Sequence, residues 1–203
     1  MKNKKYYLSK KLGLIAGVDE VGCGSLVGSV IAAAVILHPM QSIFGLADSK
    51  TLNKNTRLRL YTNIIQNALA WSIGCADVIE IDRFNILQAR LLAMKRAVYN
   101  LSIKPDLILI DGNCSPVFTD IPYQCFSKGD ARIKIISAAS IIAKVTRDQD
   151  MIALDVQYPA YRFAQNKGYP TSFHLKQLTL YGPIAHHRKS FVPVKNMISY
   201  IDR

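Results

Sequence analysis

The sequence predicts an α/β chain built on a mixed sheet, and three observations carry that expectation. Leu14–Asp19 and Val27–Leu37 read as two strands joined by a short glycine-bearing connection, which favours antiparallel pairing. Leu107-Ile108-Leu109-Ile110 is a continuous apolar run, the mark of a strand covered on both faces. Helical spacing of apolar residues precedes and follows it. Strands first, then helix, strand and helix, is the order of a mixed sheet flanked by helices.

The elements follow in order. After the first two strands, Lys50–Gln66 is polar with scattered Leu and Ile, read as loop then helix. Ala70–Ala76 reads as a third strand, with Trp71 in the core. Phe84, Leu87, Leu91, Met94, Val98 and Leu101 recur at three- and four-residue steps, with Asp82 near the start, which predicts a helix. The apolar strand ends in Asp111-Gly112-Asn113, a turn signal. Ala138, Ile141, Ile142 and Val145 mark another helix, ending before Pro159. Pro170 and Pro183 break the remainder into short helices and loops. At 203 residues the chain fits one domain, 1–203, with a basic segment 1–11 and a small helical C-terminal extension from about 160 to 203.

Half of the residues are hydrophobic, enough for a sizeable core, so disorder is not expected. The formal net charge is +12 and the pI about 9.6, an excess that suits a polyanion such as nucleic acid or an anionic membrane surface. Residues 1–18 hold five lysines and no acid, and residues 156–201 hold six Lys plus Arg and no acid. Net charge alone does not separate this from a solvated surface. Cys23, Cys75, Cys114 and Cys125 form no C-x-x-C pair and no zinc pattern with the histidines, so they read as reduced thiols of a cytosolic protein. No signal-type apolar region follows the basic start, and the longest apolar stretch is too short to span a bilayer.

Acid is scarce, which makes Gly17-Val18-Asp19-Glu20-Val21-Gly22-Cys23-Gly24 informative. Adjacent carboxylates repel and raise each other's pKa, so a pair beside a tight turn suggests a neutralising cation. Two surface acids at a strand end are the bland alternative. Asp19 and Asp111 both fall at strand ends, where open α/β sheets place their sites. Asp130, next to Gly129, is a further candidate. Three or four carboxylates around two cations roughly 4 Å apart are what two-metal phosphodiester hydrolysis needs. Oxygen-only ligands select Mg²⁺ or Mn²⁺ over zinc. Neighbours on a regular strand point to opposite faces, so Asp19 and Glu20 share a site only if the chain leaves the strand there. Gly22 and Gly24 make that departure cheap. A dinucleotide reading of the glycines is weak: the spacing is G-x-G-x-x-x-G and two carboxylates precede it.

These segments resemble the ribonuclease HII family, of the ribonuclease H superfold, from about Leu14 to Lys195. The matching stretches are residues 16–22, Asp48-Ser49-Lys50, residues 110–113, Lys128-Gly129-Asp130, residues 137–148 and Lys167-Gly168-Tyr169-Pro170-Thr171. The resemblance implies a ribonuclease H-like fold. It also implies an endonuclease that cleaves the RNA strand of RNA–DNA hybrids and nicks 5′ of ribonucleotides embedded in duplex DNA, leaving a 5′-phosphate and a 3′-hydroxyl. It places two Mn²⁺ or Mg²⁺ ions on Asp19, Glu20, Asp111 and Asp130. It puts Tyr169 at the ribose and Lys50 and Lys144 at phosphates, in a cytoplasmic monomer. Gly22, Cys23 and Gly24 would face the substrate, since a reader of the 2′-OH must approach the sugar closely. Two departures stand out. The family has arginine where this chain has Cys23, and proline where it has Ser25. A thiol does not replace a guanidinium's charge or donors, which puts the phosphate grip in doubt.

Other groups are read more plainly. Asp148 and Asp150 read as solvated and His174 as structural. His186-His187-Arg188-Lys189 reads equally as a phosphate contact or a basic surface loop. Two rivals remain: a basic module that binds nucleic acid without cutting it, and a DNA-cutting nuclease on the same superfold.

Overall fold

In a computed structural model, which describes residues 13–40 and 42–201, five strands form one sheet. They are β1 (Ile15–Val21), β2 (Val30–Leu37), β3 (Ala68–Ala76), β4 (Leu107–Asp111) and β5 (Tyr123–Phe126), in spatial order β3-β2-β1-β4-β5. β1–β2 is antiparallel, as the short glycine connection suggests, and β2–β3 is antiparallel as well. β1–β4 and β4–β5 are parallel. Val18 pairs with Ile110, so one step further along both strands stand Asp19 and Asp111. The expected basic segment 1–11 lies outside the described residues.

Strand alternation sorts the side chains between two helical layers. Val18, Ala32, Ala34, Ile108 and Ile110 pack under α2 (Val78–Tyr99). Ile31, Ala33 and Val35 pack under α1 (Lys54–Asn67) and α4 (Lys134–Gln157). Small residues bring the layers close. A Cβ on Gly74 would lie 2.1 Å from the Ala93 carbonyl of α2, and one on Gly17 would lie 2.3 Å from the Ile135 carbonyl of α4. Two short helices, α3 (Gly129–Arg132) before α4 and α5 (Phe163–Asn166) after it, are joined by α6 (Ser172–Tyr181) and α7 (Val192–Ile201). These C-terminal pieces share a third apolar cluster with Leu26, Val27, Met151 and Leu154, so they buttress the loop after β1.

Several expectations need correction. β1 continues through Val21, so the chain does not leave the strand at Asp19–Glu20; that departure is not required, because at the strand end Glu20 stays within electrostatic reach of both Asp19 and Asp111. β5 was not foreseen: it is short and its first two residues are exposed. α2 is capped by Asp77 rather than started near Asp82, through a reciprocal box with Glu80. Its chain is kinked at Asn85, with φ +68, so the register shifts. Phe84 and Leu87 are therefore exposed, while Ala89, Ala93 and Ala97 carry the buried face. Trp71 is 39% exposed on the outer strand β3, not core.

Candidate active site

The same alternation that orders the core divides the acidic pair. Asp19 shares its face with Gly17 and turns towards α4. Glu20 shares its face with Val18 and turns towards α2. Asp19 is buried at 4% exposure and lies beside Ser140 of α4. Asp111, next door on β4, accepts backbone N–H bonds from Gly129 at 2.6 Å and Asp130 at 3.3 Å through one oxygen. Lys128, in a left-handed conformation with φ +54, turns the chain so that these amides face that oxygen. Carboxylate oxygens of Asp19, Asp111 and Asp130 all lie within 4.8 Å of one another.

Electrostatics within this cluster are unbalanced. Burial raises the Asp19 pKa well above the ordinary aspartate range, and the charges of Glu20 and Asp111 raise it further. Glu20 is raised too, chiefly by burial, with Arg90 opposing and Asp111 adding. Lys50 donates to Asp130 at 3.4 Å. Its partial desolvation pulls its pKa down, but Asp130, Asp19 and Asp48 outweigh that and leave it raised. Three hard oxygen donors crowded in this way, with one acid held partly towards protonation, fit a divalent cation and not a thiophilic metal.

Glu20 stands beside this triad, not in it. Its Oε1 accepts from Arg90 Nη1 of α2 at 3.1 Å, and the Cys23 sulfur lies 3.8 Å from the same oxygen. Burial, then the charge of Glu20, pushes the Cys23 thiol up to about 12, so it stays protonated and is no nucleophile.

Gly22 and Gly24 flank Cys23 in a loop without regular ladder bonds. Buried cations fill that lack. Arg147 donates to the carbonyls of Lys167 at 3.1 Å and Val27 at 3.0 Å. Arg188 donates to those of Gly28 at 2.9 Å and Cys23 at 3.0 Å. Gly22 adopts φ +94, and a Cβ there would lie 2.2 Å from Arg147 Nε. Ser25, where the family has proline, is buried and bonds through its hydroxyl to the carbonyls of Val27 and Lys167. The loop thereby joins the turn carrying Tyr169, whose ring would touch a Cβ on Gly24 at 3.6 Å. Behind Tyr169 runs a chain of neutral imidazoles. Ile184 N–H donates to His187 Nδ1 at 3.0 Å, the two Nε2 atoms lie 3.2 Å apart, and His174 Nδ1 meets the Tyr169 carbonyl at 2.9 Å. A carbonyl only accepts, so His174 donates through Nδ1 and accepts from His187 Nε2–H.

The structure thus brings together Asp19, Asp111 and Asp130 with Lys50, and sets Glu20, Gly22, Cys23, Gly24 and Tyr169 alongside. Lys144 is engaged elsewhere, in an ion pair with Asp148 at 2.7 Å, so Asp148 is not simply solvated. His187 and Arg188 are buried, which excludes a basic surface loop at those two positions. His174 is structural, as expected. Arg90, Arg147 and Ser140 carry no separate signal in the sequence, and Arg188 stands out there only as part of the basic segment His186-His187-Arg188-Lys189.

Carboxylates gathered where parallel strands β1 and β4 end, on a sheet of this order, define a metal-dependent nuclease of ribonuclease H-like fold. Comparisons with known proteins agree. The family model for ribonuclease HII matches residues 16–194. Ribonuclease HII of Blochmanniella pennsylvanica (strain BPEN) is 82% identical over 194 residues, covering 96% of this chain and 89% of that protein. The crystal structure of ribonuclease H2 from Pyrococcus horikoshii OT3 superposes with a TM-score of 0.78 at 26% identity, covering 94% of this chain and 99% of that one. Bst-RNase HIII in complex with Mn²⁺ shares the fold, with a TM-score of 0.67 at 18% identity over 94% of this chain and 71% of that one. The chain belongs to the ribonuclease HII family, metal-dependent endonucleases that cleave RNA in RNA–DNA hybrids. No helix among the described residues is long and apolar enough to cross a membrane.

Proposed function

We propose that this chain also nicks duplex DNA 5′ of a single embedded ribonucleotide, with Asp19, Glu20, Asp111 and Asp130 holding two Mn²⁺ or Mg²⁺ ions. The observation that carries this is the convergence of Asp19, Asp111 and Asp130 within 4.8 Å, next to a glycine loop facing Tyr169. When bound, the ions would activate water and stabilise the leaving oxygen. The Mn²⁺ in Bst-RNase HIII and the all-oxygen donor set here both favour such ions.

The chain's own residues do the rest. Gly22 and Gly24 let the backbone approach the sugar, and the Tyr169 ring packs on the ribose and senses its 2′-OH. Lys50, 73% exposed in its side chain, is free to swing from Asp130 to a phosphate, and Lys144 can do so by leaving Asp148. Water attacks phosphorus and the P–O3′ bond breaks. The 3′ oxygen leaves as a hydroxyl after gaining a proton, and the phosphate stays on the 5′ side of the ribonucleotide. Four free cysteines suit a reducing cytoplasm, where we place the protein as a monomer. The whole chain serves as one catalytic domain, with residues from about 160 onward supporting the Tyr169 turn.

The test uses three labelled duplexes with Mg²⁺ or Mn²⁺: one ribonucleotide in DNA, a full RNA–DNA hybrid, and all DNA. Cutting of the first two, with a 3′-hydroxyl and a 5′-phosphate at the single ribonucleotide, is expected. Cutting of all three would favour a DNA nuclease, and cutting of none a binding module.

A further inference from the structure

Position 23 lacks a cation, yet a guanidinium reaches the same spot from another element. Arg90 rises from α2 and donates through Nη1 to Glu20 Oε1 at 3.1 Å; the Cys23 sulfur lies 3.8 Å from that very oxygen. One carboxylate oxygen therefore marks a point touched by both side chains. Guanidinium carries five N–H donors in a planar fork, and this contact uses one. Arg90 Nε is buried without a hydrogen-bond partner, and Glu20 is its one ion-pair partner among the described residues. With Nε enclosed, the remaining Nη donors of this half-buried side chain, beside a site that must admit a phosphodiester, are the ones suited to bind phosphate oxygens.

Charge balance points the same way. Without cations, Glu20 is what Arg90 neutralises and Asp130 is what Lys50 neutralises, one at each side of the acidic cluster. Divalent ions bound there would share those carboxylates, so Arg90 and Lys50 would each lose part of their partner and be left to meet the negative charge of an approaching phosphate. Cys23 takes no part: its thiol is neutral and packs on the apolar cluster under α2.

We propose that Arg90 is a substrate-contacting residue that grips a phosphate of the nucleic-acid strand next to the scissile bond, supplying from α2 the guanidinium that position 23 lacks. This rests on the active-site reading above. The wild-type protein separates the two: if it cuts neither hybrid nor embedded-ribonucleotide duplex, that reading fails, whereas the outcomes below bear on Arg90 alone.

Two quantities are measured on Arg90→Ala and Arg90→Gln: KM and kcat for the embedded-ribonucleotide duplex, and Mn²⁺ affinity by calorimetry without duplex. A phosphate contact predicts opposite signs. KM rises roughly tenfold with kcat changed less, while Mn²⁺ binds at least as tightly because a repelling charge has gone. In addition, kcat/KM should fall less steeply with salt, by about one phosphate's worth of slope. Cys23→Arg in the Arg90→Ala background should recover KM to within about threefold, but change little in the wild type. An unchanged KM, or a loss of Mn²⁺ affinity in step with activity, would show that Arg90 merely positions Glu20. Failure of a folded double variant to recover KM would overturn the exchange between the two positions. If Arg90→Ala does not fold, Arg90→Gln, which keeps a donor for Glu20, decides the same question.

Discussion

The acidic cluster and the loop that faces Tyr169 lie side by side, yet they are held by opposite means. Asp19 and Asp111 sit on adjacent parallel strands whose own ladder fixes them, and what is unsettled there is charge. The loop from Gly22 to Gly28 has few ladder bonds, and what must be settled there is conformation. Arg147 and Arg188 do this from below by donating to four carbonyls, and a neutral histidine pair holds the Tyr169 turn. On the proposed function, rigid backbone would carry the chemistry, whose charge deficit an outside cation would make good, and irregular backbone would carry recognition. Buried side chains meet the hydrogen-bonding needs that no strand meets.

The largest effect is expected at the acidic side. Asp19→Asn or Asp111→Asn should lower cleavage by roughly a thousandfold, since a cation ligand contributes several kcal/mol to the transition state. Hybrid binding should persist, because Lys and Arg contacts to phosphate dominate affinity. The metal-free melting temperature of Asp19→Asn should rise, not fall. Asp19 has a raised folded pKa, so its ionisation opposes folding: stability is full below the ordinary aspartate range and is lost as pH climbs through the raised value. A lower melting temperature in EDTA would mean that the crowding is already relieved.

On the recognition side, Gly22→Ala should destabilise by about 1–3 kcal/mol and impair cleavage. Its Cβ would meet Arg147 Nε at 2.2 Å in a backbone conformation with φ +94. Thermal melting checks this; a wild-type curve would mean that the loop drifts freely off Arg147. Tyr169→Ala should cost roughly tenfold in cleavage at a lone ribonucleotide, while binding to plain DNA barely changes. An equal loss on every duplex would reduce Tyr169 to a turn residue.

The smallest effect is a pH dependence confined to the recognition side. Burial, then His174, lowers the His187 pKa to about 4, and burial lowers that of His174. Depressed folded values mean that stability is full above the ordinary histidine pKa of about 6.5 and is lost as pH falls towards 4. The melting-temperature advantage of the wild type over His187→Gln should therefore shrink as pH falls across that window, while the Asp19 contribution, of opposite sign, cancels in the comparison.

This contrast also explains what could be read in advance. Strands β1, β2 and β4 announce themselves through apolar runs, and Asp19, Asp111 and Asp130 through acids beside glycines in an acid-poor chain. The position of Glu20 followed only once β1 was seen to run on to Val21, because alternation then sends it towards α2. Arg147 and Arg188 carry charges whose default place is solvent, and only the fold reveals the carbonyls that make their burial tolerable. Likewise the kink at Asn85 undoes the apolar periodicity of Phe84 and Leu87, and the closeness allowed by Gly74 hands the buried face of α2 to alanines. β5 is held mainly by backbone pairing with β4, which leaves little trace in side-chain pattern.

The most direct measurement is calorimetric titration of the wild type and of Asp111→Asn with Mn²⁺, with cleavage of the embedded-ribonucleotide duplex followed at the same ion concentrations. We expect the wild type to bind Mn²⁺ and its cleavage to rise with occupancy, and Asp111→Asn to lose both while melting as a folded protein. Equal Mn²⁺ binding and full cleavage in Asp111→Asn would contradict the assignment of the acidic cluster as the metal-holding centre.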